Sequence, residues 1–321
     1  MPETDFRSVQ FEEVDWSDTT CLITYGPHPE KLLHAIDAVG LLQWPLLQQR
    51  EDGLLRIVCG SRRLTVCRKL GIEPVPCQVF STSVSHLTCL RMAIYDNVAQ
   101  RVLNPVEKSL VLTKMAEYVD RPQLIEDVMP LLDLEPSVTL LQRYEGLQEL
   151  DSPIVDAVAG GSLHERIAFA LRPLRGKDRL AFLKLFEQLP FSVSVQEELL
   201  ETIMDISRRD GVAPRDVIND KEIRELRQEN KRPLRQRAQD IRICLQARRS
   251  PRLTARKQRF LEEIRQVGLP PGLRLEPPPH FEGSRWRLEF TFHQPDELTV
   301  RLRQVARLTG QPAFRRLLKS K

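Results

Sequence analysis

Three segments in the first hundred residues carry side chains whose types and spacing could do chemistry. Val39-Gly40-Leu41-Leu42-Gln43-Trp44-Pro45 closes a helical stretch, and Gly60-Ser61-Arg62-Arg63-Leu64 stands at a strand-to-helix turn. Asp96-Asn97-Val98-Ala99-Gln100-Arg101 is followed by Leu103-Asn104-Pro105-Val106-Glu107. A glycine at such a turn lets a ligand approach the backbone, and the N–H groups of the helix that starts there point at it. Arg62 and Arg63 add forked donors suited to phosphate oxygens. Asp96 and Asn97 are hard oxygen ligands of the kind Mg²⁺ takes when it shares its shell with phosphates. Together these are the parts of a nucleoside-triphosphate site. Singly, each has a plainer reading: a helix start with solvated arginines, or a surface Asp-Asn pair.

Other chemistries find less support. The histidines (His28, His34, His86, His164, His280, His293) form no i,i+4 pair, which argues against a metal cage. Cys21, Cys59, Cys67, Cys77, Cys89 and Cys244 form no C-x-x-C pair. That argues against a zinc module and a disulfide framework and fits the reduced thiols of a cytosolic protein. Neither G-x-S-x-G nor G-x-x-x-x-G-K-[ST] occurs, so an α/β-hydrolase and a Walker NTPase are excluded. No apolar run approaches the ~18 residues of a membrane helix. Residues 1–10 lack a basic patch followed by an apolar stretch, so no cleaved signal peptide is expected.

The elements that must position the three segments follow from periodicity and punctuation. Leu32, Leu33, Ile36 and Val39 share a helical face, and Gly40 closes that helix. Residues 46–49 and 54–59 read as strands joined by Glu51-Asp52-Gly53. Ser61–Leu70 reads as a helix stopped by Gly71, and Val75–Phe80 as a returning strand. With a β-prone run at 21–25, residues 1–80 form a small mixed α/β unit. From 84 to about 245 the signals are helical only. Amphipathic stretches at 106–118, 137–150, 162–171, 178–189 and 195–207 are punctuated by Pro122, Pro136, Pro153, Pro173 and Pro190. They predict an all-α domain. The tail adds a helix at 254–267, strands at 273–276 and 285–292, and a helix capped by Asp296 and running to 308. This αββα module is too thin to stand alone, and is expected to dimerise or dock.

The fold class is therefore α+β. The expected domains are 1–100, 101–220, a basic helical linker at 221–252, and 253–321. A length of 321 residues agrees with two or three domains. Charge is divided unevenly along them: residues 1–220 carry 23 Lys/Arg against 33 Asp/Glu, and residues 221–321 carry 25 against 11. The densest stretch, 231–259, holds 11 basic residues and one acidic residue, Asp240. A basic tail on an acidic body is a footprint of nucleic-acid binding. The plainer reading is an arginine-rich helix paired with its own acidic surroundings.

The order and spacing of the three segments resemble the N-terminal domain of the ParB family, chromosome- and plasmid-partition proteins that are CTP-dependent DNA clamps. The family pattern is a helix ending G-L-L-Q-P, a strand and G-[EH]-R-R-x-x-A, and later E-N-x-Q-R-x-x-L-N-P. Residues 36–44, 57–70 and 96–105 match it in that order. The similarity runs on to about Leu174, half the chain, where 158–171 looks like the helix after the family's helix–turn–helix. The resemblance implies a ParB/sulfiredoxin-like N-terminal domain that binds CTP and Mg²⁺. Gly60, Ser61, Arg62 and Arg63 would hold the triphosphate, with Asp96 and Asn97 at the metal and phosphates. Gly40 and Gln43 would form the pocket floor, with Gln100 and Arg101 nearby. It also implies a homodimer in the bacterial cytoplasm, associated with the nucleoid.

Three departures bear on that reading. Ser61 stands where the pattern has Glu or His, Asp96 where it has Glu, and Tyr25-Gly26-Pro27-His28-Pro29 where a Pro-Arg element is usual. The first departure predicts binding with slow or absent hydrolysis. The helix–turn–helix would use 123–134, a turn at Glu135-Pro136, and a reading helix at 137–150. That helix would present Ser137, Thr139, Gln142 and Arg143, but also Glu145 and Glu149, which phosphates repel. The basic segment is the better candidate for DNA-backbone contacts, through Arg235, Arg237, Arg248, Arg249, Arg252, Arg256 and Lys257. The expected function is nucleotide-dependent DNA binding in DNA segregation or gene regulation. The alternatives are a phosphotransferase or nuclease on the same scaffold, and an adaptor that has lost its nucleotide.

Overall fold

The computed structural model describes residues 4–26 and 30–319, with His280 and Lys319 described by backbone alone. Pro27, His28 and Pro29, part of the segment replacing the Pro-Arg element, lie outside the described residues. The chain divides into two compact units, 1–197 and 198–321, and the division falls inside one helix, Val193–Asp210. The described elements are mostly helical, with two small sheets.

The first unit opens with a four-stranded mixed sheet. Its strands are β1 (Thr4–Val9), β2 (Leu46–Gln49), β3 (Leu55–Cys59) and β4 (Val75–Phe80), in the order β1-β4-β2-β3. β1 runs antiparallel to β4, β4 parallel to β2, and β2 antiparallel to β3. The parallel pair requires a crossover, which β3 and the helix α2 (Ser61–Leu70) supply. Alternation along the strands separates two cores. Leu47, Leu55, Val75, Cys77 and Val79 pack with Ile36 of α1 (Glu30–Val39) and Leu64 of α2. Val58 and Phe80 pack with Cys89 and Ala93 of α3 (His86–Gln100). Leu90 and Ile94 of α3 belong to a further core, shared with Val111, Leu112 and Met115 of α4 (Pro105–Met115). The same helix α3 therefore joins the sheet to the helical part of the unit.

Beyond α4 the structure departs from the expected helices. Residues 123–134 do not form one regular helix: a short turn, Arg121–Gln123, leads into a π-type turn, Leu124–Val128, and then Met129–Leu131. Pro130 cannot donate to a helix ladder, which shortens any run through it. Expected helix 137–150 resolves into α5 (Val138–Glu145), capped by Ser137, and a 3-10 turn, Gly146–Glu149. Expected helix 158–171 is two helices, α6 (Ser152–Ala159) and α7 (Glu165–Leu171), because Gly160-Gly161 breaks it, with Gly161 at φ +76°. Residues 21–25 form no strand.

The second unit contains α8 (Lys221–Gln228), α9 (Leu234–Arg249) and α10 (Pro251–Val267). The antiparallel pair β5 (Leu273–Glu276) and β6 (Arg287–Phe290) follows, then α11 (Pro295–Gly310) and α12 (Pro312–Lys319). The N-cap of α11 is Gln294, and Asp296 lies in its first turn rather than at the cap. α12 extends the expected αββα order by one helix. Phe260, Val267, Leu273, Leu275, Leu308, Phe314 and Leu317 form one core here.

Leu64 has no exposed surface and packs among Leu47, Leu55 and Val75. Leu64→Ala is expected to cost about 2–5 kcal/mol through lost burial and the cavity left behind. A urea denaturation curve should show a lower midpoint with an unchanged slope.

Candidate nucleotide site

α2 starts where β3 ends, and Gly60 makes the corner at φ +84°. The left-handed backbone there favours glycine, and a Cβ would crowd the Arg63 guanidinium at 3.0–3.1 Å. No side chain caps α2, which leaves its first-turn N–H groups to solvent or a ligand. A cavity of about 430 Å³ opens at this point. Gln43, Gly60, Ser61, Arg62, Arg63, Asp96, Asn97, Gln100 and Arg101 all line it. The three separate sequence segments therefore converge on one space. Gly40 is outside the lining; it turns the chain after α1 at φ +75° and does not form the floor.

The side chains around the cavity are held in two groups. Arg63 donates through Nη1 to the Gln43 carbonyl at 2.8 Å, and its Nη2 lies 3.8 Å from Asp96 Oδ2. Gln100 Nε2 donates to Asp96 Oδ1 at 2.8 Å. The second group centres on Glu107, whose side chain is wholly buried. Arg101 donates to it twice, at 2.5 and 2.9 Å, and Arg62 Nη2 once, at 3.2 Å. The backbone N–H groups of Tyr25 and Asn104 donate to it at 3.1 and 3.0 Å. Asn104 Oδ1 in turn accepts from the Glu107 N–H at 3.0 Å, completing a capping box at the start of α4. Asn97 accepts from Arg101 at 2.9 Å and donates to the Ala93 carbonyl at 2.9 Å.

This is an anion-seeking arrangement. Burial and the neighbouring Arg101 guanidinium pull the Arg62 pKa below its ordinary value, and Glu107 opposes them. Arg62 Nε is buried without a hydrogen-bond partner, a spare donor beside an uncapped helix start. A polyphosphate fits this donor set. Among the described residues, no group of three or more His, Cys, Asp or Glu side chains could hold a metal ion. A divalent cation at Asp96 and Asn97 would therefore need phosphate oxygens and water to complete its shell.

Sequence reasoning named Glu107 only as the end of a motif and missed its role as the common acceptor. The available signal was Asn104-Pro105-Val106-Glu107, the capping-box spacing. Asp18 was also missed. It lines the cavity and is bound by Arg56 Nε at 2.6 Å, with both side chains nearly buried.

The DNA-contact candidates divide as clearly. Thr139, Gln142 and Arg143 are exposed on α5, whereas Ser137 is engaged as its cap, accepting from Leu140 N–H. In the second unit Arg235, Arg252 and Lys257 are exposed. Arg237 is not available to a phosphate: it is 8% exposed and donates to the Leu226 carbonyl. Arg248 pairs with Asp210 and Asp220, and Arg249 with Asp205. Arg256 lies over the Phe281 ring, 5.4 Å from its centre.

No family model matches the chain. A nucleoid occlusion protein of Bacillus cereus (strain ATCC 10987 / NRS 248) is 27% identical over 177 residues, 55% of this chain and 59% of that protein. The chain thus spans less than two thirds of the length of that curated relative. A C-terminally truncated chromosome-partitioning protein ParB from Caulobacter crescentus, solved in complex with the centromeric parS site, aligns with 61% of this chain and 98% of its own. The TM-score is 0.35 and the identity 22%. The C-terminally truncated ParB solved with CTP-γ-S covers 57% of this chain and 98% of its own, with TM-score 0.27 and 23% identity.

Cys21 and Cys59 line the cavity but are buried. Burial first, then Cys89 for the one and Asp96 for the other, pushes each thiol up to about 12. Both should stay protonated and unmodified by iodoacetamide at pH 8 in the native protein and react after urea unfolding. Peptide mass spectrometry of the adducts reads this out, and rapid native alkylation of either would contradict it.

Proposed function

We infer that this chain, which belongs to the ParB-like proteins, is a nucleotide-dependent DNA-binding protein of the chromosome-partition or nucleoid-occlusion type. The observation that carries the nucleotide reading is the convergence of Arg62, Arg63 and Arg101 with the uncapped start of α2 on one cavity. The nucleotide is CTP, by resemblance to the family and by the CTP-γ-S bound in one ParB structure. Gly60, Ser61, Arg62 and Arg63 hold the triphosphate, and Gln43, Gln100 and Arg101 complete the wall. Asp96 and Asn97 would hold Mg²⁺ together with the phosphates, and the ion would supply charge neutralisation there. Hydrolysis is slow, because Ser61 is not a carboxylate and cannot act as a general base at neutral pH. Nucleotide binding closes two copies of the chain into a homodimeric clamp on DNA, at the nucleoid.

The DNA partner rests on the relatives and on the basic second unit. The parS-bound ParB and the nucleoid occlusion proteins support it by likeness. The exposed cations Arg235, Arg252 and Lys257 contact phosphates, and the exposed α5 face (Thr139, Gln142, Arg143) contributes a weak base reader. Glu145 and Glu149 lessen its attraction for DNA, although each is paired with an arginine, Arg121 and Arg172 respectively.

Two measurements test this reading. Arg63→Ala should weaken CTP binding by ten- to a hundredfold, since a hydrogen bond to a charged group is worth roughly 1.5–3 kcal/mol. Calorimetry with CTP and Mg²⁺ checks it, and no binding of any nucleoside triphosphate by the unmutated chain would sink the nucleotide reading. For DNA, each phosphate contact contributes about −0.9 to the slope of log K against log salt. The triple variant Arg235→Ala, Arg252→Ala, Lys257→Ala should flatten that slope by about 2.7 on the same rule. Fluorescence anisotropy at several salt concentrations reads it. An unchanged slope would move the DNA surface to other residues, α5 first.

A further inference from the structure

The carboxylate of Glu107 does more than a cap requires. Closing a capping box takes one bond from the Asn104 N–H. Glu107 also takes three bonds from Arg62 and Arg101, both of which line the cavity. A further bond comes from the N–H of Tyr25, between the lining residues Thr24 and Gly26. The Tyr25 hydroxyl donates to Asp156 Oδ1 of α6 at 2.9 Å, and its carbonyl accepts from Asn104 Nδ2 at 3.3 Å. One buried anion thus ties the start of α2, the end of α3, the 22–26 wall and the start of α4 together.

We propose that Glu107 is an internal anion that competes with bound phosphates for Arg62 and Arg101, so that occupancy of the cavity is felt at Tyr25 and at the start of α4. This rests on the nucleotide reading above and names how that site is regulated. With the cavity empty, the carboxylate satisfies two guanidinium groups that would otherwise repel each other in a partly buried space. A phosphate placed at the start of α2 draws on the same two groups, and Arg62 Nε is already free to meet it. The wholly buried carboxylate then loses part of its compensation beside a new negative charge. A buried charge left short of partners is costly, so the carboxylate, or the backbone bonded to it, must shift. The segments that can answer are those it holds by main-chain bonds, Tyr25 and Asn104. Through the Tyr25 hydroxyl the answer extends to Asp156.

Competition and simple positioning predict opposite signs. If Glu107 only positions the arginines, removing its charge loosens them and weakens phosphate binding. If it competes, Glu107→Gln keeps an acceptor at the same place, removes the like charge, and tightens binding.

The test uses the full chain and two probes, inorganic tripolyphosphate and CTP with Mg²⁺. Calorimetry should show Glu107→Gln binding each about tenfold more tightly than the unmutated chain, the scale of relieving one like-charge contact. On the unmutated chain, hydrogen–deuterium exchange should speed severalfold at the Tyr25 and Asn104 amides when either probe is added. Equal or weaker binding by a folded Glu107→Gln, or unchanged exchange at both amides while the probe is bound, overturns the proposal and leaves the nucleotide reading standing. Should Glu107→Gln fail to fold, the exchange measurement on the unmutated chain decides alone. If the unmutated chain binds neither probe, the nucleotide reading falls and this inference falls with it.

Discussion

A wholly buried carboxylate must be compensated where it stands, and in this chain that requirement fixes the geometry of the candidate site. Glu107 receives five hydrogen bonds from four residues that lie up to 82 positions from it in sequence. Desolvating such a group without partners would cost several kcal/mol. The chain can therefore bury Glu107 only if Arg62, Arg101, Asn104 and the Tyr25 backbone arrive together. Charge compensation joins apolar packing in setting the distance between the start of α2 and the end of α3. The apolar cores on the two faces of the sheet then hold those helices at that distance.

Three guanidinium groups in one cavity would repel one another without counter-charge. The two carboxylates that prevent this differ in exposure. Glu107 is closed off from water, whereas the Asp96 side chain keeps about a third of its surface. Arg63 is paired at a longer distance with Asp96 and fastened to the 43–44 backbone. Arg101 is held by two bonds to Glu107, whereas Arg62 gives Glu107 one bond and keeps its Nε without a partner. A site built this way separates its work: the spare Arg62 donor meets a ligand at little internal cost, and the bonded guanidinium groups meet it only by disturbing what they already hold.

The elements that build the pocket were legible because each is bounded by residues with a local mechanism. Gly40, Gly60 and Gly71 sit at positive φ where helices begin or end, and Glu51-Asp52-Gly53 turns β2 into β3. Their bounds came out within a residue of the structure. Where tertiary partners replace local ones, the pattern misled. Residues 21–25 have strand composition, but the Tyr25 N–H is given to a carboxylate and not to a neighbouring strand. The apolar spacing through 123–134 is helical, yet a π-type turn and Pro130 interrupt it. Glu107 was visible as a cap and invisible as an acceptor for arginines, because both arginines reach it across folds in the chain that no spacing encodes.

The basic segment shows the same limit in a different form. Composition counts 11 cations in 231–259, and a counterion-release argument built on that number treats all as equivalent. They are not. Arg232 pairs with Asp240, Arg242 with Glu198, Arg248 with Asp210 and Asp220, and Arg249 with Asp205, while Arg237 is buried against a carbonyl. The acidic partners other than Asp240 lie outside the segment, so its one-sided composition hides the pairing of four of its 11 cations. An arginine already paired with a carboxylate must surrender that contact to meet a phosphate, and its net contribution shrinks accordingly. The electrostatic reach of the second unit is therefore set first by the cations that are exposed and outside these pairs, and a polyanion would be drawn to those before it disturbed the paired ones.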